Sequence, residues 1–162
     1  RGSKGTTLEG GIRVPFLISW PGTLKPGGLF DAPVISLDIA ATALAAAGVS
    51  KQPHINLDGV NLIPYLQGEV ETSPHMQLFW RSWGQMAIRQ GDWKLVRYVA
   101  KMDEGELKRG EPRDIMTPYR LYNLRRDVGE QQDLAAAEPE RVADMLKAWR
   151  AWNTQMKIPP PS

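Results

Sequence analysis

The chain has 162 residues, enough for one domain with a packed core or for pieces of two, and its 42% hydrophobic content is that of a soluble globular class. Twenty Lys and Arg stand against 18 Asp and Glu, a net charge of +2 with both signs interspersed, which argues against a nucleic-acid-binding protein. With no cysteine there is no disulfide framework, thiolate nucleophile or Cys-based zinc site, and no apolar run reaches the roughly 18 residues that a membrane span needs.

The amino end lacks the basic, apolar and small-residue order of a signal peptide, and Arg1-Gly2-Ser3 reads as the inside of a loop, so a piece of a longer chain is expected. Residues 1 to 13, with glycines at 2, 5, 10 and 11, favour an unusually shaped loop over a helix or strand. The apolar run Val14 to Trp20, closed by Pro21-Gly22, fits a strand buried on both faces, as in a parallel sheet.

A helix is predicted from Leu37 to about Gly48, capped by Ser36, with Leu37, Ala40, Ala41 and Leu44 on one face. A short helical turn follows around Asn61 to Leu66, introduced by Asp58-Gly59 and closed by Gly68. From about Ser73 the composition shifts to β-branched and aromatic segments. Gln77 to Trp80, Gln85 to Arg89 and Trp93 to Val99 are predicted strands, with Gln90-Gly91-Asp92 as a hairpin between the last two and Arg120 to Leu124 as a further strand.

Nine charged residues in the fourteen of 101 to 114 suggest an exposed loop. A helix of about 139 to 156 opens on Pro139 and carries Val142, Met145, Leu146, Trp149 and Trp152 on one face, a stripe that needs a partner surface. Pro159 to Pro161 are expected to fray.

Lys4 is ambiguous by itself. A lysine in a glycine-rich loop is ordinarily solvated, but its three donors and unit charge beside permissive backbone also suit an anion site. For Glu9 and Arg13, an ion pair or backbone hydrogen bonds that hold the loop are preferred over acid/base chemistry. His54 and His75 have no metal-ligand spacing, and Asp38, Asp58 and Asp92 read as capping or turn residues, so no metal ligand is assigned. Trp80 is read as core or as a ring available for stacking; Trp83 and Arg81 nearby offer a further ring and a guanidinium.

Three stretches in order carry a resemblance. They are Gly2-Ser3-Lys4-Gly5-Thr6-Thr7-Leu8-Glu9-Gly10-Gly11-Ile12-Arg13-Val14-Pro15 with Trp20-Pro21-Gly22; Ser36 to Thr42 with Leu57-Asp58-Gly59-Val60-Asn61-Leu62; and Ala87 to Val96 with Leu121-Tyr122-Asn123-Leu124, Asp127-x-Gly129-Glu130 and Asp133-Leu134-Ala135. Together they resemble the carboxy-terminal part of the type I, formylglycine-dependent sulfatases of the alkaline-phosphatase-like superfamily.

The resemblance implies an α/β to α+β chain. Residues 1–70 would end an alkaline-phosphatase-like α/β domain, and 71–162 would form a small antiparallel β-sheet packed by a carboxy-terminal helix. It implies that Lys4 contacts the substrate sulfate and that His75, Trp80, Arg81 and Trp83 border the substrate site. The family nucleophile is a formylglycine made from the first residue of a Cys/Ser-x-Pro-x-Arg motif, and no such sequence occurs here. The family's divalent cation, usually calcium, would have its ligands outside this chain, and the fragment alone would be inactive.

The partner implied for the parent is a sulfated small molecule or glycan, with no nucleic acid and no membrane span. By analogy the parent would be periplasmic or secreted. A phosphonate or phosphodiester hydrolase of the same superfamily is the near alternative, and a non-catalytic glycan- or partner-binding module the distant one. An exposed Val14 to Trp20 would also promote self-association.

Overall fold

The computed structural model describes residues 1–49, 57–103 and 116–156. Their elements run α1 (Glu9–Ile12), α2 (Leu37–Ala46), α3 (Ile63–Leu66), β1 (Gln77–Ser82), β2 (Gln85–Gln90), β3 (Trp93–Arg97), α4 (Ala100–Asp103), β4 (Arg120–Asn123) and α5 (Pro139–Asn153). The chain divides into two compact units, Arg1–Pro15 with Gln77–Ser162, and Phe16–Met76.

The first unit is a four-stranded antiparallel meander in the order β1-β2-β3-β4. Its hairpins are tight because their turn residues accept left-handed backbone. Trp83 and Gly84, at φ 46° and 79°, join β1 to β2, and Gly91, at φ 55°, opens the turn from β2 to β3. Alternation along the strands then divides the side chains between two faces.

On one face Met86, Ile88, Leu95 and Leu121 pack with Met145 of α5, flanked by Val142, Leu146 and Trp149. The predicted apolar stripe therefore docks as expected, and Trp152 of the same helix stacks on Phe79 with ring centroids 5.0 Å apart. Each such side chain contributes roughly 1.5–3 kcal/mol of burial, opposed by the entropy of ordering the helix.

The other face carries Ala87, Val96, Tyr98, Tyr122 and Leu124, with Trp80 packed against them, and it is covered by Leu8 from the glycine-rich loop. Leu8 is fully buried, so the loop is part of this unit's core. The free edge of β4 is covered by the following segment: Leu134 N–H donates to the Leu121 carbonyl at 2.8 Å, and Leu121 N–H donates to Asp133 Oδ1 at 3.1 Å.

The second unit contains α2 and α3. The strand expected from Val14 to Trp20 is absent. These residues have no strand pairing, and Val14, Phe16, Leu17, Ile18 and Trp20 are all exposed, Leu17 to 90%. A parallel strand is held by neighbours that accept its ladder and cover both faces, and none of the described strands pairs with it.

The α2 helix also faces opposite to the expected direction. Asp38 and Thr42 are buried while Leu37, Ile39 and Leu44 are exposed, and Ser36 makes no side-chain cap. The buried pair is polar because it organises backbone. Asp38 accepts N–H bonds from Ile35 and Val60, and Thr42 Oγ1 accepts one from Leu62. Gly59 lies against the Leu37 carbonyl, where an added Cβ would come within 2.2 Å of the oxygen. His54, most of the 101–114 stretch and the final prolines lie outside the described residues.

Candidate functional site

Lys4 sits at the apex of a turn closed by Thr6 N–H donating to the Ser3 carbonyl at 3.1 Å, with Thr6 Oγ1 donating to the same oxygen at 2.8 Å. The loop then folds back on itself, because Gly10 N–H donates to the Arg1 carbonyl at 2.7 Å. That return needs glycine. A Cβ on Gly10 would lie 2.2 Å from the Gly2 carbonyl oxygen, and one on Gly11 would lie 2.3 Å from that of Thr6.

Three side chains then fix the loop on the sheet. Leu8 fills the apolar face, Gln85 Nε2 at the start of β2 donates to the Gly5 carbonyl at 2.8 Å, and Glu9 turns inward to Lys94 of β3. Lys4 itself is exposed and makes no ion pair with any described residue. The result is a solvent-facing ammonium on a backbone that is anchored on both sides.

Beneath the loop lies a buried ionic cluster. Lys94 Nζ is 2.8 Å from Glu9 Oε1 and 2.8 Å from Glu130 Oε1, and both Lys94 and Glu130 are fully buried. Glu9 N–H donates to Glu130 Oε2 at 2.7 Å, while Arg13 approaches Glu9 Oε2 at 3.9 Å from the solvent side. Burial pushes the Glu130 carboxyl above its ordinary range, against the opposing pull of the Lys94 charge and its hydrogen bond. Glu9 is thus structural, as its position predicts, but its principal partner is Lys94, not Arg13.

Sequence reasoning does not single out Lys94 or Glu130. A signal for the lysine is available in strand alternation, which puts Lys94 on the same face as Val96 and Tyr98. Glu130 has none in its own residue type. It depends on the turn set by Asp127, whose Oδ2 accepts N–H bonds from Gln131 and Gln132 at 2.7 and 2.8 Å.

The residues expected to border the substrate site have different surroundings. Trp83 is 62% exposed at the tip of the β1–β2 hairpin, two residues before the Gln85 that holds the Lys4-Gly5 turn. Trp80 is half-buried against the loop-side core, and its carbonyl accepts the Trp149 indole N–H at 3.1 Å. Arg81 donates to Asn153 Oδ1 of α5 at 2.8 Å. In the second unit, His75 Nε2 lies 2.9 Å from each carboxylate oxygen of buried Asp38.

The buried carboxylates do not form a cation site. Asp38 is occupied by two backbone N–H groups and His75, and Glu9 and Glu130 share Lys94. Among the described residues no three His, Cys, Asp or Glu side chains converge. A divalent cation therefore does not fit the donor sets found here.

A glycine-rich lysine loop clamped on an antiparallel sheet, with a helix behind it, has relatives among known proteins. Residues 3–149 match the family of the N-sulphoglucosamine sulphohydrolase C-terminal domain. The chain belongs to this sulfatase family. It is 32% identical over 159 residues to arylsulfatase A of Bos taurus, covering 91% of this chain and 31% of that protein. It is 42% identical over 168 residues to the steryl-sulfatase of Rattus norvegicus, covering 91% of this chain and 28% of that protein.

Among solved structures, Ps i-CgsB in complex with k-i-k-neocarrahexaose superposes with a TM-score of 0.72 at 29% identity, over 93% of this chain and 31% of that one. A protein from a Bacteroides thetaiotaomicron locus for glycosaminoglycan metabolism gives a TM-score of 0.74 at 24% identity, over 95% of this chain and 32% of that one. The sulfatase chain thus spans about a third of the length of the relatives it matches.

Proposed function

We propose that this sulfatase region works within a formylglycine-dependent enzyme that hydrolyses sulfate esters of an aryl compound or carbohydrate, and that Lys4 contacts the sulfate. The observation that carries the reading is the exposed Lys4 ammonium on a turn held by Gln85 and Glu9. Preorganised donors aimed at developing charge commonly supply most of the rate enhancement in such catalysis, and an anchored backbone keeps the charge in place without reorganisation.

The remaining machinery belongs to the same proposal. The family's formylglycine and its divalent cation supply the nucleophile and further charge neutralisation when present, and no Cys/Ser-x-Pro-x-Arg sequence occurs among these 162 residues. This chain alone is accordingly expected to be inactive. The exposed apolar run supports a larger parent body. Phe16, Leu17, Ile18 and Trp20 border an apolar groove of about 310 Å³ with Ile39 and Ala43 of α2, the kind of surface that a further layer of an α/β domain covers.

For the substrate wall we favour Trp83, which is 62% exposed and whose ring can stack on an aryl or sugar face. The bound neocarrahexaose of Ps i-CgsB supports a carbohydrate substrate, and the relatives named arylsulfatase and steryl-sulfatase support a fused or aromatic ring system. Turnover assays of the full-length protein on 4-nitrophenyl sulfate and on sulfated oligosaccharides, beside bis(4-nitrophenyl) phosphate and a phosphonate ester, test this. Preference for the sulfate esters is expected. Preference for a phosphodiester or phosphonate would replace the reading with the related hydrolase class.

A further inference from the structure

The ion cluster beneath the loop has more connections than packing requires. Glu130 touches both ends of the segment that carries Lys4: its side chain accepts the Glu9 N–H at 2.7 Å, and its carbonyl lies 3.5 Å from Arg1 Nη1. Its backbone is held at φ 55°, a left-handed conformation that residues other than glycine, Asn and Asp seldom adopt. The Asp127 turn keeps it there and so aims the carboxylate at Glu9 and Lys94.

Lys94 is the centre of the cluster. It projects from β3, whose backbone is hydrogen-bonded to both β2 and β4, and its ammonium is held between Glu9 and Glu130. A buried charge of this kind is costly unless fully paired, and hydrophobic residues of similar volume commonly stabilise a fold as well or better. The cluster is better explained by what it positions.

We propose that Lys94 and Glu130 are positioning residues for the Lys4 loop: through Glu9 they lock the loop's return segment to the sheet, and through the Gly10 to Arg1 bond they fix both flanks of the Lys4 turn. This rests on the reading of Lys4 as the sulfate-contacting residue. The linkage runs Lys94 to Glu9, Gly10 N–H to the Arg1 carbonyl, and thence to the Ser3–Thr6 turn. A displacement of about 1 Å at a reacting group costs on the order of a hundredfold in rate.

The test is a double-mutant cycle in the full-length enzyme, with 4-nitrophenyl sulfate as probe, joined to hydrogen exchange of the loop amides. Lys94→Met and Glu130→Gln should each lower kcat roughly tenfold or more. In the Lys4→Ala background neither should lower it further, because the positioned group is gone. The Thr6, Gly10 and Gly11 amides should exchange faster in both variants, and by a larger factor than the amides of the β1–β2 ladder.

Multiplicative losses in the double variants, or unchanged loop exchange, would overturn the proposal. If Lys94→Met fails to fold, Glu130→Gln decides, since its carbonyl oxygen can still accept the Glu9 N–H while the carboxylate facing Lys94 is lost. If Lys4→Ala alone turns over normally, the sulfate-contacting role fails instead. The exchange measurement then judges the lock by itself.

Discussion

Gln85 Nε2 donates to the carbonyl of Gly5 at 2.8 Å, joining the first residue of β2 to the turn that carries Lys4. Gln85 is fully buried and the bond is partly so, and losing it takes a partner from the Gly5 oxygen. The same residue follows the Trp83-Gly84 turn, so the exposed tryptophan and the exposed lysine each lie within two residues of this bond in sequence.

Replacing Gln85 by Leu keeps most of the volume and removes the donor. Urea unfolding of the chain should show a loss of about 1–3 kcal/mol, the range for one buried hydrogen-bonding group left unsatisfied. A Gln85→Glu change should be worse than Leu, because it aims a buried carboxylate at a carbonyl oxygen.

Removing the ammonium of Lys94 should be among the costliest single changes. Lys94→Met leaves Glu9 and Glu130 facing one another without their shared cation, and breaking a buried pair from one side costs about 3–5 kcal/mol. Denaturant titration at neutral pH measures this. A loss below about 1 kcal/mol would mean that solvent reaches the cluster.

The pH dependence of that cluster has a definite sign. Burial raises the Glu130 carboxyl above its ordinary value of 4.5, so its contribution is fully present below that pH and is lost as pH rises through the folded-state value. The stability of the wild type relative to Glu130→Gln should therefore fall as pH rises above about 4.5 and through the folded-state value. Parallel unfolding curves at several pH values read it directly.

On the opposite face, Met145→Ala should destabilise the first unit by about 2–5 kcal/mol, because Met145 is the one described residue of α5 that is fully enclosed by β2, β3 and β4 side chains. Thermal melts followed at the near-ultraviolet tryptophan signal should shift together with the helix signal, since Trp149 and Trp152 dock through the same surface.

Elements whose partners are close in sequence are legible from residue order. The β1 to β3 meander, the Gly91 turn and the α5 stripe all follow from alternation, positive-φ residues and helical spacing. Val14 to Trp20 is not, because an apolar run specifies burial but cannot supply the neighbouring strands that burial requires. The α2 face is misleading for a related reason: Asp38 is buried because distant backbone at Val60 and the ring of His75 satisfy it, and neither partner is visible from helical periodicity.

At the candidate site, the lysine loop is evident from its glycines and its resemblance, whereas its anchors are not. The spacing of Glu9 and Arg13 suggests a local structural tie, but the stronger one spans 85 residues to Lys94. A long-range ion pair leaves no spacing signal in a single sequence.

If Lys4 acts on the sulfate group from this anchored turn, its removal must cost rate without costing fold. Steady-state kinetics of the full-length protein on 4-nitrophenyl sulfate, wild type against Lys4→Ala, decides this. A fall in kcat on the order of a hundredfold or more with an unchanged melting temperature is expected, as for a lost transition-state contact. Near-normal turnover by Lys4→Ala would contradict the assignment of Lys4 to the sulfate.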